Sequence, residues 1–305
     1  MDLNKSSGPV QLVSVVLCTY NGARYVAEQL ESILQQTYTN LEVIIADDAS
    51  TDDTYAILKR HAAKDGRICL YQRPQNAGYN TNFSEACSKA TGAFIAIADQ
   101  DDVWEFEKVE KLVKKIGEDE SIILVHGISA RFEVKHQPHM RSLRLINYFR
   151  GNDIRLFYLA NYISGHSILF RKILLKKALP FPLHVDYDWW LAAHACVLGR
   201  IEFVNEILVW HRMHQTNATK GARPKRVQAI LPTLLGIKGM PKQHYEFGNT
   251  LLQKYEGSPQ QQFSWPAFLF LIQHAPVLFG NKKRSFPYIS YIKHAWHYAK
   301  RLPPA

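Results

Sequence analysis

Three carboxylates fall within four positions at Asp99-Gln100-Asp101-Asp102, directly after the apolar run Phe94–Ala98. Like charges that close repel unless a cation neutralises them or their pKa values rise. Oxygen ligands suit a hard divalent ion, Mg2+ or Mn2+, which keeps positions open for phosphate oxygens. The alternative is a solvated acidic turn capping a helix over residues 105–116. A second cluster is Asp186-Tyr187-Asp188, followed by Trp189-Trp190-Leu191. A carboxylate beside large aromatics is partly desolvated, which raises its basicity and suits a general base. It reads equally as a helix start, with Asp186 as cap and the two tryptophans as core. A third group, Trp210-His211-Arg212-Met213-His214, follows the apolar Ile207-Leu208-Val209. Its imidazoles and guanidinium suit a metal and a diphosphate.

The elements that must position these groups are legible between residues 13 and 116. Strands are predicted over 13–17, 41–46, 68–71 and 93–98, from short β-branched or apolar runs. Helices are predicted over 23–36, from Ser50 or Thr51 through His61, over 80–90 and over 105–116. Buried strands alternating with helices imply a parallel sheet covered on both faces. The first strand runs into Thr19-Tyr20-Asn21, the second into Asp47-Asp48 and the fourth into Asp99–Asp102. Ligands of open parallel sheets bind beyond the carboxyl ends of the strands, so these polar groups are expected to share one crevice.

Composition narrows the class. The 305 residues are 47% hydrophobic and 21% charged, which excludes global disorder and fibrous repeats. Cys18, Cys69, Cys87 and Cys196 lie far apart, so neither a disulfide framework nor a cysteine zinc site is expected, and a reducing compartment fits. Met1–Pro9 is polar, and no secretory signal is expected there. No Gly-x-Gly-x-x-Gly follows the first strand, no Gly-x-x-x-x-Gly-Lys-Ser/Thr occurs, and no Gly-x-Ser-x-Gly marks a hydrolase nucleophile.

The ordered set Ser14–Asn21, Asp47–Asp52, Asn76-Ala77-Gly78, Asp99–Trp104, Asp188–Leu191 and Arg212-Met213-His214 resembles inverting glycosyltransferases of family 2. Within that family it looks most like bacterial rhamnosyltransferase-type members of cell-surface polysaccharide synthesis. The resemblance covers about residues 12–220 and implies a GT-A fold, with a Rossmann-like, mostly parallel sheet. It also implies a nucleotide-diphosphate sugar donor (dTDP- or UDP-linked), a divalent cation and a glycan or lipid-linked glycan acceptor. In that frame Thr19, Tyr20 and Asn21 line the base and ribose pocket. Asp48 contacts the base with Asp47 in support, and Asn76, Gly78 and Asn82 lie near the donor. Asp99 and Asp101 form the Asp-x-Asp motif, Asp101 or Asp102 holds the metal, and His214 and Arg212 serve the metal or diphosphate. Two family patterns place the base. Glu-Asp-x-Asp-Leu selects Asp186, with Val185 where the Glu stands; His-Asp-Trp-Trp-Leu selects Asp188, with Tyr187 where the His stands. Asp188 is the favoured assignment. Ser164, Gly165 and His166, with Trp189 and Trp190, are expected at the acceptor cleft.

The same reading divides the chain into a catalytic domain at 1–220 and a mainly helical extension at 221–305. The catalytic domain has a donor-binding half over about 10–110 and an acceptor-binding half over about 111–220. The extension holds 12 Lys and Arg against two Glu, whereas the first 220 residues are formally neutral. Phe268, Leu271, Ile272, Ala275 and Phe279 at helical spacing, followed by Lys282-Lys283-Arg284, suit peripheral attachment to an anionic membrane, on the inner face of the cytoplasmic membrane. Packing on the core with solvated lysines is the other reading. No nucleic-acid partner is expected, since no recognition motif accompanies the basic charge.

Overall fold

The computed structural model describes residues 10–214, except 135, 144–147, 155, 156 and 158–160. The expected helical extension at 221–305 and its membrane-facing stripe lie outside the described residues. The chain divides into two compact units, one of residues 1–152 and 163–212, the other of 153–162 and 213–305. Within the described part of the second unit, the rings of Phe157 and Tyr162 meet edge-on at 5.7 Å.

The first unit alternates strand and helix as its sequence periodicity dictates. In order come β1 (Val13–Thr19), α1 (Val26–Leu34), β2 (Leu41–Asp47), α2 (Thr54–Ala62) and β3 (Ile68–Gln72). They are followed by α3 (Tyr79–Ser88), β4 (Phe94–Ala98), β5 (Val103–Trp104) and α4 (Lys108–Ile116). Then β6 (Ile122–Phe132), α5 (Met140–Leu143), β7 (Ile168–Arg171), α6 (Leu175–Ala178), α7 (Tyr187–Leu198) and β8 (Arg200–Arg212) complete it. All seven residues of β1 are buried, as a central strand covered on both faces requires. Val26, Leu30 and Ile33 of α1 are fully buried on one side of the sheet, each stabilising the fold by about 1.5–3 kcal/mol.

The eight strands form one sheet in the order β3-β2-β1-β4-β7-β6-β8-β5. The half β3-β2-β1-β4 is parallel throughout, as the alternation predicts. Beyond β4 the pattern changes, because β7 runs antiparallel to both β4 and β6, while β6 and β8 are parallel. The sheet is therefore mixed. Two local expectations also shift. The helix foreseen from 105 begins at Lys108, because Val103 and Trp104 pair with Trp210 and Val209 of β8. Neither Ser50 nor Thr51 caps α2; the Ser50 hydroxyl donates instead to Asp47 Oδ1 at 2.6 Å, and Asp53 occupies the cap position. Among the described residues no helix is long and apolar enough to cross a membrane.

Candidate active site

The carboxyl ends of β1, β2 and β4 converge through hydrogen bonds between residues far apart in sequence. Asp47 is fully buried, and its carboxylate accepts from Thr19 Oγ1 at 2.9 Å, Ser50 N at 3.0 Å and Gln72 Nε2 at 3.3 Å. Asp48, also buried, accepts from the amides of Ala77 and Gly78, each at 2.9 Å, with Arg73 Nε at 3.4 Å. That carboxylate thus fastens the 76–78 loop, where Gly78 adopts φ 85°, and Asn76 Nδ2 donates back to the Asp48 carbonyl. Asn21, at φ 49°, accepts from Thr51 N at 2.8 Å. Gln100 closes the gap to β4 by accepting from Tyr20 N at 2.8 Å and donating to Tyr20 O at 3.0 Å. The Tyr20 ring stays 45% exposed. Asn82 is buried and donates to the Ala46 carbonyl at 2.8 Å, which ties α3 to the end of β2.

Asp102 lies at the centre of a second cluster and is fully buried. Its Oδ1 stands 3.0 Å from His211 Nδ1 and accepts from Arg212 N at 3.3 Å. Its Oδ2 faces His166 Nδ1 at 3.2 Å yet has no hydrogen-bond partner, because that ring nitrogen also meets Asp99 Oδ2 at 3.0 Å. The His166 and His211 rings stack at 5.0 Å, and Ser129 Oγ holds His166 Nε2 at 2.7 Å. Asp102, His166 and His211 each offer one ligand atom, all within 4.8 Å of one another. One carboxylate and two imidazoles with an orphaned buried oxygen suit a divalent transition-metal ion, Mn2+ among them, better than Mg2+. Electrostatics agree with the geometry. Burial alone would lower the His166 pKa, but the charges of Asp102 and Asp99 push it up to about 9. Burial works the other way on Asp102, where the two histidines hold the carboxyl below its ordinary range.

Arg212 is committed to the same strand end. It donates to the Asp101 carbonyl at 3.1 Å, pairs with Glu28 at 2.5 Å and lies over Tyr25 and Phe132, each centroid at 4.9 Å. His214, matched to the metal by its family motif, belongs to the second unit. The family motifs give no role to His211 and place His166 at the acceptor, whereas both rings meet Asp102 here. Because β8 extends through Arg212, its two-residue period sets His211 apart from Trp210 and Arg212, and this was the available signal.

The turn Gly165–Ser167 joins this cluster to Asp188. Gly165 N donates to Asp188 Oδ2 at 3.1 Å, and Trp189 N lies 2.7 Å from Asp188 Oδ1. Burial, reinforced by the neighbouring Asp186 charge, pushes the Asp188 carboxyl up to about 7 despite these two amides. Asp186 sits at the start of α7 and accepts from the Tyr79 hydroxyl at 2.6 Å. Ser164 is exposed beside the turn, whereas Gly165 and His166 are buried. A Cβ on Gly165 would lie 2.3 Å from Tyr187 Oη, so a larger residue there would have to displace the buried tyrosine ring. Trp189 and Trp190, expected at the acceptor cleft, are each 2% exposed, and Trp190 Nε1 donates to the Ala178 carbonyl at 2.8 Å. They pack inside because α7 is apolar around most of its circumference.

Comparison with known proteins places this arrangement. The model of glycosyl transferase family 2 matches residues 14–179. An uncharacterized glycosyltransferase of Nostoc is 25% identical over 216 residues, spanning 67% of this chain and 66% of its own length. The putative teichuronic acid biosynthesis glycosyltransferase TuaG of Bacillus subtilis is 37% identical over 100 residues, 33% of this chain and 40% of its own. The chain spans about two thirds of the length of the Nostoc glycosyltransferase and of a similar one from Haemophilus influenzae. Residues 1–349 of S. aureus TarS, solved with UDP-GlcNAc, superpose with a TM-score of 0.60 at 18% identity, covering 93% of this chain and 89% of that one. The mannosyltransferase PcManGT of Pyrobaculum calidifontis, solved with GDP-Man and Mn2+, gives 0.54 at 20% identity, covering 95% and 87%. Those likenesses establish the fold as the GT-A type, a mixed sheet with flanking helices. With the family model covering more than half of its length, this chain belongs to glycosyl transferase family 2.

Proposed function

We propose that the chain transfers a sugar, with inversion, from a nucleotide-diphosphate sugar to a hydroxyl of a growing cell-surface glycan, and that Asp188 is the general base. The supporting observation is the turn Gly165–Ser167. Its first amide donates to Asp188 Oδ2 at 3.1 Å, while its histidine touches Asp99 at 3.0 Å and Asp102 at 3.2 Å. Base and acidic cluster are thereby spaced by one short piece of backbone. In this reading Asp188 takes the proton of the acceptor hydroxyl. The freed oxygen attacks the anomeric carbon from the face opposite the nucleotide, and the bond from that carbon to the diphosphate oxygen breaks. One displacement inverts the centre and needs no covalent glycosyl-enzyme. A carboxyl poised near 7 suits this task, because about half of it is ionised at neutral pH and it is basic enough to accept a proton.

Asp102, His166 and His211 would hold a divalent cation, with Asp99 and Asp101 beside them. When bound, such a cation supplies charge neutralisation to the departing diphosphate. Thr19, Tyr20 and Asn21 with Asp47 and Asp48 form the end of the crevice assigned to base and ribose, and Ser164 its acceptor side. The donor panel follows from the motif resemblance and from the named neighbours: dTDP-rhamnose first, then UDP-GlcNAc and GDP-Man. The name of TuaG supports a cell-surface polysaccharide, and a lipid-linked acceptor at the inner face of the cytoplasmic membrane fits the basic residues 221–305.

Release of nucleoside diphosphate from each donor with Mn2+, followed by NMR of the product anomer, tests the scheme. Turnover with inversion by the native chain, falling about 10²–10⁴-fold in Asp188→Asn, is expected. Undiminished turnover by that variant would remove Asp188 from the mechanism.

A further inference from the structure

Lys108 is the first residue of α4, and it is fully buried. A buried ammonium is among the least favourable groups a protein encloses, and a cation at a helix N-terminus opposes the helix dipole. Burial holds its pKa well below the usual lysine range, although the charges of Asp102 and Asp99 offset part of the cost of burying it. Its contacts suggest a reason for the lysine. Lys108 Nζ donates to the backbone carbonyl of His166 at 2.6 Å, and it lies 3.1 Å from the centroid of the Trp104 ring. The lysine therefore grips the middle residue of the turn Gly165–Ser167 from below, across 58 positions of sequence. Ser129 holds the other end of the same histidine through its ring.

We infer that Lys108 is a positioning residue, which clamps the His166 carbonyl so that one turn presents its imidazole to Asp99 and Asp102 and the Gly165 amide to Asp188. The inference rests on the proposed roles of Asp188 and the acidic cluster, and adds the element that holds them in register. An amine donates to a carbonyl whether or not it carries a charge, so the clamp does not depend on the ionisation of Lys108. Its carbonyl partner is a backbone atom, so the effect reaches the histidine ring and the Gly165 amide together.

The test is Lys108→Met, which keeps the length of the side chain and removes the donor. The change leaves the buried His166 carbonyl without its donor, so the melting temperature is expected to fall modestly while the chain stays folded. Hydrogen exchange of the Gly165 amide, followed by NMR without any ligand, is expected to accelerate about tenfold, the factor one hydrogen bond carries. Amides of β1 and β4 should keep their protection. Mn2+ affinity, read by electron paramagnetic resonance, is expected to fall about 10–100-fold. Lys108→Gln restores a neutral donor and should recover most of the protection. Unchanged exchange at Gly165 in Lys108→Met overturns the inference, as does unfolding of that variant or a general loss of protection across the sheet. If the native chain itself binds no Mn2+, the cation assignment fails while the exchange result still decides the clamp.

Discussion

Asp102 Oδ1 and His211 Nδ1 stand 3.0 Å apart although 109 positions separate them in the chain. The contact exists because Val103 and Trp104 of β5 pair with Trp210 and Val209 of β8, which brings the residue before one strand beside the end of the other. His211→Ala should therefore weaken Mn2+ binding at least about tenfold, and Asp102→Asn should do the same. Calorimetric titration with Mn2+ reads both. Native-like affinity in either variant would exclude that residue as a ligand.

The Asp188 carboxyl, pushed up to about 7, sets a pH dependence in two quantities. With Asp188 as the proposed general base, turnover needs its ionised form, so kcat/KM is expected to fall below about pH 7. Stability moves in the opposite sense. The folded-state value lies above the unfolded carboxylate value of about 3.9, so the native protein holds the extra proton between them. The contribution of Asp188 is thus fully present below about pH 4 and lost as pH rises towards 7. Asp188→Asn should melt at a higher temperature than the native chain at pH 8 while losing transfer. A lower melting point there would contradict the burial of that charge.

Gly165→Ala forces a Cβ to within 2.3 Å of Tyr187 Oη and 2.6 Å of its ring. Overpacking of this kind costs about 1–3 kcal/mol. It should also pull the Gly165 amide from Asp188, and that amide is one of the groups that restrain the carboxyl from rising further. The acidic limb of the activity profile should consequently move to higher pH. A profile left in place, with only the stability reduced, would separate the packing effect from the hydrogen bond.

Asp47 collects Thr19, Ser50 and Gln72 around one buried carboxylate. Asp47→Ala leaves several buried donors without an acceptor, and a loss of about 3 kcal/mol is expected in urea unfolding. Protection by UDP in thermal melts should fall with it, because Thr19 and the loop after β2 lose their common anchor. Full UDP protection in a destabilised Asp47→Ala protein would place the nucleotide elsewhere.

Much of this site is legible in the chain before folding. The apolar run Phe94–Ala98 ending at Asp99 announces a buried strand with an acidic exit, and the spacing of Val26, Leu30 and Ile33 announces the helix that covers it. Asp47 and Asp48 after β2 follow the same logic. The reversal at β7 was not legible, because strand direction depends on the connection that precedes it rather than on periodicity within the strand. Trp189 and Trp190 misled for a related reason: aromatic residues beside a carboxylate look alike whether they line a cleft or fill the interior of a helix packing.

The sequence by itself determined the alternation of strand and helix, the acidic strand ends and the family, since each rests on spacing within a few residues or on ordered short motifs. Only the tertiary structure decided that His166 and His211 meet Asp102, that Lys108 is enclosed beneath the turn at 165–167, and that Gly165 and Asp188 share a hydrogen bond. Those contacts join residues 23 to 109 positions apart. Local patterns carry the preference of a segment for helix or strand, whereas which strands become neighbours is settled by burying all their apolar faces together.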